Sequence, residues 1–160
     1  MKPSLNKILV GRSEWCGLPE LNIPLIKAKI DTGAKTSAIH AFDICSKVID
    51  HKPYASFKVH PLQGDTHITI TCEAPIIDER YIMSSNGHKE HRYIIMTSLK
   101  LGKHVYQIEL SLSNRDPLTF RLLLGREALN KRMIVDPSVT CQQGKYKRAI
   151  VLQHYMNLKA

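Results

Sequence analysis

The sequence predicts a single mainly β domain, barrel-like, with one short helix. Alternating apolar and polar residues recur in short runs along most of the chain, and Gly, Pro, Asn or Asp turns separate these runs. A helical pattern is confined to one short segment that follows Gly125. With 160 residues, 43% of them hydrophobic, the chain is long enough to bury a core of its own.

The predicted strands are extended runs bounded by turn residues, and several of them alternate apolar with polar side chains. In chain order they are Ile8 to Cys16, Asn22 to Ile30, Thr36 to Ala41, Tyr54 to His60, Thr66 to Cys72, Glu79 to Met83, His91 to Met96, Val105 to Ser111, Thr119 to Leu124 and Met133 to Asp136. The turn before Thr119 is predicted over Asn114 to Pro117.

The strongest local signal is a hairpin turn at Asn86-Gly87, because Asn-Gly suits the tight turns that join antiparallel strands. The short helix is predicted over Arg126 to Lys131, where Glu127 near the start and Lys131 near the end complement the helix dipole. Residues 141–160 are predicted as a C-terminal tail, and helix, added strand and mobile segment stay open for them.

The net charge of +9, from 23 Lys and Arg against 14 Asp and Glu, favours an acidic partner. Nucleic acid is unsupported, because the sequence has no known nucleic-acid-binding motif and only 6% aromatic residues for base stacking. The apolar run Ile8-Leu9-Val10 is too short for a signal peptide, and no run is long enough to span a membrane, so a cytoplasmic location is expected.

The chemically distinctive stretch is Asp31-Thr32-Gly33-Ala34, which follows a predicted strand. Gly33 lets the backbone turn sharply beside the Asp31 carboxylate, and the small neighbours leave room for a substrate or for a second copy of the loop. A plain Asx turn without further function is the structural alternative. A second segment, Leu122 to Arg126, ends an apolar strand in Gly-Arg.

Together these segments resemble the retropepsin-like aspartic peptidases, and most closely their bacterial RimK-associated subgroup, which has been labelled ATP-dependent zinc protease. The matching segments are Ile30-Asp31-Thr32-Gly33-Ala34-Lys35-Thr36-Ser37-Ala38-Ile39-His40-Ala41, Val59-His60-Pro61, Asp78-Glu79-Arg80, Gly87-His88-Lys89-Glu90-His91-Arg92-Tyr93 and Leu124-Gly125-Arg126. The resemblance implies a closed retropepsin-like (acid-protease) barrel over residues 1–140, in which the hairpin could serve as a flap.

The resemblance also implies a catalytic role for Asp31, with Thr32 locking two loops together and Gly33 positioning the carboxylate. Aspartic peptidases need two carboxylates that share one proton, because like charges at close range cannot both ionise. This chain has one Asp-Thr-Gly. A homodimer is therefore predicted, with one Asp31 from each subunit near a two-fold axis, unless Asp78 or Glu79 supplies the second acid.

Basic residues around the motif predict an acidic substrate. Lys35 stands where retroviral relatives carry an acid that pairs with the Arg of the Gly-Arg segment, so Arg126 is expected to lack that partner and to face an external anion. The predicted substrate-binding residues are Lys35, Thr36, Arg80, His88, Arg92 and Arg126. The resemblance implies processing of glutamate-rich protein tails, and the alternative is a non-catalytic module that binds acidic peptides or phosphate backbones.

No cofactor is predicted, although the subgroup label mentions zinc and ATP. His88 and His91 do not form an HExxH motif, and no cysteine pair completes a zinc site, because the four cysteines are scattered: Cys16, Cys45, Cys72 and Cys141. Gly125-Arg126-Glu127 has neither the spacing nor the Lys-Ser/Thr of a phosphate-binding loop.

Overall fold

A computed structural model of the chain describes residues 6–83, 86–115 and 119–158. The predicted hairpin and the turn at Asn114 to Pro117 therefore lie partly outside the described residues. The described part is mainly β. Its strands are β1 (Ile8–Val10), β2 (Ser13–Leu18), β3 (Ile23–Ile30), β4 (Ser37–His40), β5 (Phe42–Ile49), β6 (Lys52–Val59), β7 (Ile70–Met83), β8 (Lys89–Leu101), β9 (His104–Ser113), β10 (Leu122–Leu124) and β11 (Met133–Val135).

Nine of these strands form one sheet in the order β2-β3-β10-β4-β9-β8-β7-β6-β5. Strand β2 also pairs with β8 through Gly17 and Lys100, so six strands close into a ring. The core fills this ring with alternate side chains from each strand. Its fully buried members include Leu18, Ile26, Ile39, Leu99, Leu110, Leu122 and Leu124.

Strand β10 determines the geometry around Asp31, because it lies between the two strands that flank the Asp31 loop. It pairs parallel with β3, Leu124 beside Ile30, and antiparallel with β4, Leu123 beside Ala38. Strands β3 and β4 follow each other in sequence yet do not pair directly. The residue after β10, Gly125, is therefore placed against the loop that joins β3 to β4.

The first predicted strand, Ile8 to Cys16, is two strands in the structure. A Cβ atom at Gly11 would lie 2.2 Å from the Val139 carbonyl oxygen, so the chain passes another backbone segment at this point. Strand β1 pairs with β11, whereas β2 pairs with β3. Strand β5 was not predicted, because it is a largely exposed edge strand with one partner, β6, and only a weak apolar pattern.

Two α-helices complete the described fold: α1 (Arg126–Leu129), inside the segment predicted as helical, and α2 (Arg148–Asn157). Helix α2 buries Val151 and Tyr155, and the Tyr155 hydroxyl donates a hydrogen bond to the Leu25 carbonyl. The division into a domain over 1–140 and a tail over 141–160 stays a prediction. No helix in the described ranges has the length and hydrophobicity needed to cross a lipid bilayer.

A buried carboxylate joins the segment that precedes α2 to strand β2. Glu14 is 0% exposed, and its two oxygens accept hydrogen bonds from the backbone N-H groups of Gly11 (2.7 Å), Gln142 (2.8 Å) and Gln143 (2.8 Å). Hydrogen bonds to a charged acceptor are stronger than neutral ones, and a buried donor that loses its acceptor is costly. Glu14 therefore stabilises the packing of residues 141–143 on the sheet.

We expect Glu14→Gln to destabilise the protein, because its amide would direct an N-H group at backbone donors. The free energy of unfolding should fall by about 2 kcal/mol or more, which corresponds to a Tm lower by roughly 5 °C for a chain of this size. Thermal unfolding, monitored by circular dichroism, measures the change in Tm. The control is Glu73→Gln, which removes a partly exposed ion pair with Lys47. Equal Tm values for the two variants would contradict this role of Glu14.

Candidate active site

Asp31 lies at the end of β3, where the loop fixes its backbone and its carboxylate. Its N-H donates to the Leu124 carbonyl at 2.9 Å, and its own carbonyl accepts from Ala34 N-H at 3.3 Å. The N-H of Gly33 donates to Asp31 Oδ1 at 2.9 Å. Asp31 is half-buried, and its carboxylate is oriented by this hydrogen bond from its own loop. This is the Asx-turn geometry, and here it holds an acid at the edge of a cavity.

The start of α1 supports the loop from the other side. The N-H groups of Arg126 and Glu127 donate to the carbonyls of Ala34 (2.7 Å) and Lys35 (3.1 Å). A Cβ atom at Gly125 would lie 2.9 Å from the Ala34 carbonyl oxygen, closer than a side chain allows. Glycine is therefore required at position 125 if the loop is to keep this conformation.

Lys35 and Arg126 both have partners within the chain, unlike the sequence-based expectation. Arg126 Nη1 donates to the Thr32 carbonyl at 3.0 Å, and Lys35 Nζ lies 3.8 Å from Glu127 Oε1. The first turn of α1 brings Glu127 near Lys35, which explains why no external anion is needed between the two cations. The Lys35 side chain is nevertheless 73% exposed.

A cleft of about 800 Å³ lies between the Asp31 loop and the end of β7. The described residues that line it include one acid, Asp31, and three basic residues, Lys35, Arg80 and Arg92. The lining consists of Asp31, Gly33, Ala34, Lys35, Thr36, Ala38, Arg80, Tyr81, Ile82, Met83, Arg92 and Leu123. Its size is that of a pocket for a small ligand or a short peptide segment.

Each arginine of the cleft is held by an acid two residues away on its own strand, and Arg80 also by an acid on β9. Arg80 donates through Nε to Asp78 Oδ2 at 2.6 Å, and its Nη1 lies 3.1 Å from Glu109 Oε2. The hydrogen bond from Arg80 holds the pKa of the Asp78 carboxyl below its ordinary value. Arg92 donates through Nε to Glu90 Oε2 at 2.9 Å. These ion pairs fix both guanidinium groups and offset part of their charge.

Six of the predicted site residues line this one cleft: Asp31, Gly33, Lys35, Thr36, Arg80 and Arg92. The other three, Thr32, His88 and Arg126, are not among its lining residues. The prediction omitted the apolar part of the wall. Tyr81 and Met83 are 74% and 58% exposed, and the signal that could have indicated them is three apolar residues in succession just before the hairpin turn.

A second carboxylate does not line the cleft within the described part of this chain. The two candidates from the hairpin have other partners: Asp78 pairs with Arg80, and Glu79 Oε2 lies 3.2 Å from His91 Nε2. One copy of the chain therefore presents a single acid to this space, so far as the described residues extend.

The described residues give little support to catalysis by a metal ion or by a cysteine nucleophile. Within 6–83, 86–115 and 119–158, no group of three His, Cys, Asp or Glu residues is placed to hold a metal ion, so the donor set does not fit the zinc of the subgroup label. The Cys72 thiol is a poor nucleophile, since burial raises its pKa to about 12.

The fold and the site together define a class of protein. An Asp-Thr-Gly loop at the end of one strand, supported by an apolar-Gly-Arg segment that is inserted between its two flanking strands, is the arrangement of a retropepsin-like protein. The family profile described as "RimB-like: Retropepsin-like aspartic endopeptidase RimB" matches residues 9–146. The chain belongs to this family.

Relatives by sequence include two proteins that are each named "Probable alpha-L-glutamate ligase". The one from Desulfotalea psychrophila is 48% identical over 148 residues, which cover 92% of this chain and 32% of that protein. The one from Shewanella halifaxensis is 44% identical over 150 residues, which cover 94% and 33%. The chain thus spans about a third of the length of these curated relatives.

A solved structure shares the fold. Lpg0085 from Legionella pneumophila, a protein described as of unknown function (DUF785), superposes with a TM-score of 0.71 at 28% sequence identity. The match covers 84% of this chain and 97% of that one.

Proposed function

We propose that this chain is an aspartic peptidase that hydrolyses acidic, glutamate-rich peptide extensions. The observation that carries the proposal is the Asp31 carboxylate, fixed by Gly33 N-H at 2.9 Å and facing a cleft whose other charged walls are basic. A peptide with several carboxylates is attracted to such a cleft, and the acid in it supplies the chemistry.

The reaction needs a water molecule and two acids in opposite protonation states. The ionised carboxylate removes a proton from water while the water oxygen bonds to the scissile carbonyl carbon. The protonated carboxylic acid donates a hydrogen bond to the oxygen of the tetrahedral intermediate. The carboxyl group that took the proton from water passes it to the leaving nitrogen as the C-N bond breaks. Asp31 is one of these two acids.

The second acid is Asp31 of another copy of the chain, which makes the active species a homodimer. Two features support this. Among the described lining residues Asp31 is the single acid, and the loop tip formed by Thr32 and Gly33 is exposed. An exposed tip can approach its symmetry mate across a two-fold axis, and the resemblance assigns the contact to Thr32.

The substrate class rests on the charges of the cleft and on the relatives. The Lys35 ammonium is 3.8 Å from Glu127 but its side chain is 73% exposed, so it can also contact a substrate carboxylate. Arg80 and Arg92 add positive potential to the opposite wall. The relatives named glutamate ligase contain a region similar to this chain within a protein about three times as long. A peptidase that accompanies such a ligase would act on the glutamate chain that the ligase makes.

Hydrolysis of matched peptides tests the proposal. The purified chain is incubated with α-linked hexaglutamate or with hexaglutamine, and the products are identified by mass spectrometry. We expect cleavage of hexaglutamate at a kcat/KM at least about tenfold above that of hexaglutamine, a difference of 1.4 kcal/mol in transition-state binding. Equal rates would reject the acidic specificity, and no cleavage of either would reject the peptidase.

Lys35→Gln should weaken the preference for hexaglutamate over hexaglutamine, with little change in the rate of the chemical step. An exposed charge contributes about 1 kcal/mol or less, so we expect KM for hexaglutamate to rise about two- to fivefold while kcat stays the same. Initial rates at low and high salt measure it, because salt should reduce the difference between variant and wild type. The control is Lys103→Gln, an exposed lysine outside the cleft lining. Identical KM values for both variants would contradict a substrate contact at Lys35.

The second candidate function is a non-catalytic module that binds acidic peptides or phosphate backbones. The specific observation in its favour is that a single copy combines three basic residues with one acid in the described cleft lining. A binding module would bind hexaglutamate and form no product at any protein concentration. A peptidase would convert hexaglutamate into shorter peptides.

A further inference from the structure

A second, smaller cavity adjoins the cleft. Its volume is about 180 Å³, and three of its lining residues, Ala38, Arg92 and Leu123, also line the cleft. The two spaces are therefore neighbours that share a wall. The smaller cavity is below the usual size of a pocket for a whole small ligand, so it suits one side chain or chain end.

The walls of this cavity are positively charged. Arg92, Arg115 and Arg121 line it together with His40, and its described lining contains no acid. Arg92 is paired with Glu90, a residue outside this lining, at 2.8 Å. Arg115 and Arg121 contribute the other two positive charges of the described lining.

Arg121 has a buried donor without an acceptor. Its Nε is inaccessible to solvent and makes no hydrogen bond within the described part of the chain. Its Nη1 lies 3.5 Å from His40 Nδ1, at the limit of a hydrogen bond. Buried polar groups are normally satisfied, and an arginine that is not satisfied by the protein suits an anionic ligand.

The backbone holds Arg121 in this position. His40 N-H donates to the Arg121 carbonyl at 2.9 Å, which extends the β4–β10 ladder by one residue. Residues two apart on a strand face the same side, so Arg121 and Leu123 are placed along one edge of the connected spaces. A peptide in the cleft that continues past Leu123 reaches Arg121.

We propose that this cavity is a subsite for one carboxylate of an acidic peptide bound in the cleft, with Arg121 as its specificity-determining residue. The inference rests on the proposed function for the identity of the peptide, but not on its cleavage. The carboxylate is that of a glutamate side chain or that of the peptide's C-terminus. Both can accept the same charge-assisted hydrogen bond from the Arg121 guanidinium that lines the cavity.

Binding to a variant that cannot turn over tests the subsite. The background is Asp31→Asn, and the probe is α-linked hexaglutamate titrated in a calorimeter. We expect Arg121→Gln to raise Kd about tenfold or more, the effect of a lost hydrogen bond to a charged group. The matched control is Arg148→Gln, which removes the same charge from a side chain that is 61% exposed and paired with Asp65. Its Kd should change less than twofold.

A second variant keeps the test valid if Arg121→Gln does not fold. Arg115 is exposed at the same cavity, and Arg115→Gln should also weaken binding more than Arg148→Gln does. Hexaglutamate with an amidated C-terminus separates the two carboxylate sources. A side-chain subsite keeps its dependence on Arg121 with this probe, whereas a C-terminal subsite loses it.

Two results would overturn the inference. Equal Kd values for Arg115→Gln, Arg121→Gln and Arg148→Gln would show that the cavity does not contact the peptide. Tighter, Arg121-dependent binding of a single-stranded thymidine decamer would assign the site to phosphate. Failure of the wild type to cleave hexaglutamate would reject the peptidase alone, since the binding experiment does not need turnover.

Discussion

Asp31→Asn is expected to lower kcat for hexaglutamate by about 10³-fold or more while leaving the fold intact, because general acid-base catalysis commonly contributes that much. Asparagine keeps an oxygen that can accept the hydrogen bond from Gly33 N-H, so the loop should retain its conformation. It cannot accept a proton from water at neutral pH, so the chemical step is lost. Product release and thermal unfolding, measured on the same preparation, separate the two effects.

The matched control for this variant is Asp43→Asn. Asp43 is also an acid, pairs with Lys58 at 3.3 Å on the far edge of the sheet, and has a positive φ that asparagine tolerates. Its activity and Tm should remain close to those of the wild type. Full activity of Asp31→Asn would remove Asp31 from the mechanism, and a large fall in its Tm would attribute lost activity to unfolding.

The second large effect is expected on mixing wild type with a ninefold excess of the Asp31→Asn chain. If each active site needs one Asp31 from each subunit, random exchange leaves about a tenth of the wild-type chains with a wild-type partner. Activity per wild-type chain should fall to about a tenth. Subunit exchange followed by an activity assay measures it at a fixed total concentration.

An equal excess of the Asp43→Asn chain provides the control, because this chain should form active mixed dimers. Activity per wild-type chain that stays constant with the Asp31→Asn chain would show that one subunit is sufficient. In that case the second acid belongs to the same chain, or the reaction uses a different chemistry.

Local sequence signals predicted the local parts of the fold. The alternation before Asp31 predicted β3, and α1 begins at Arg126 as the charge pattern indicated. Pairing between distant segments was not predictable from such signals. The insertion of β10 between β3 and β4 depends on contacts across roughly the length of the domain, which no short-range pattern encodes.

In the candidate site, too, contacts within one loop were predictable and contacts between distant segments were not. Asp31 and Gly33 belong to one loop, so their relation could be derived from the motif. Two partners of the cations could not, because Glu109 reaches Arg80 from a different strand and Glu127 reaches Lys35 through the first turn of α1. The buried Nε of Arg121 is likewise a property of packing, and arginine at that position has no distinguishing sequence pattern.

The position of β10 has a consequence for synthesis on the ribosome. A nascent chain that has emerged as far as β9 contains Asp31 and both strands that flank its loop, but it lacks the strand that separates them and accepts the Asp31 N-H. The carboxylate therefore acquires its final orientation only after residues 122–125 have been translated and inserted. Incomplete chains contain the Asp-Thr-Gly motif without this geometry, and so they lack the site for which we propose hydrolysis.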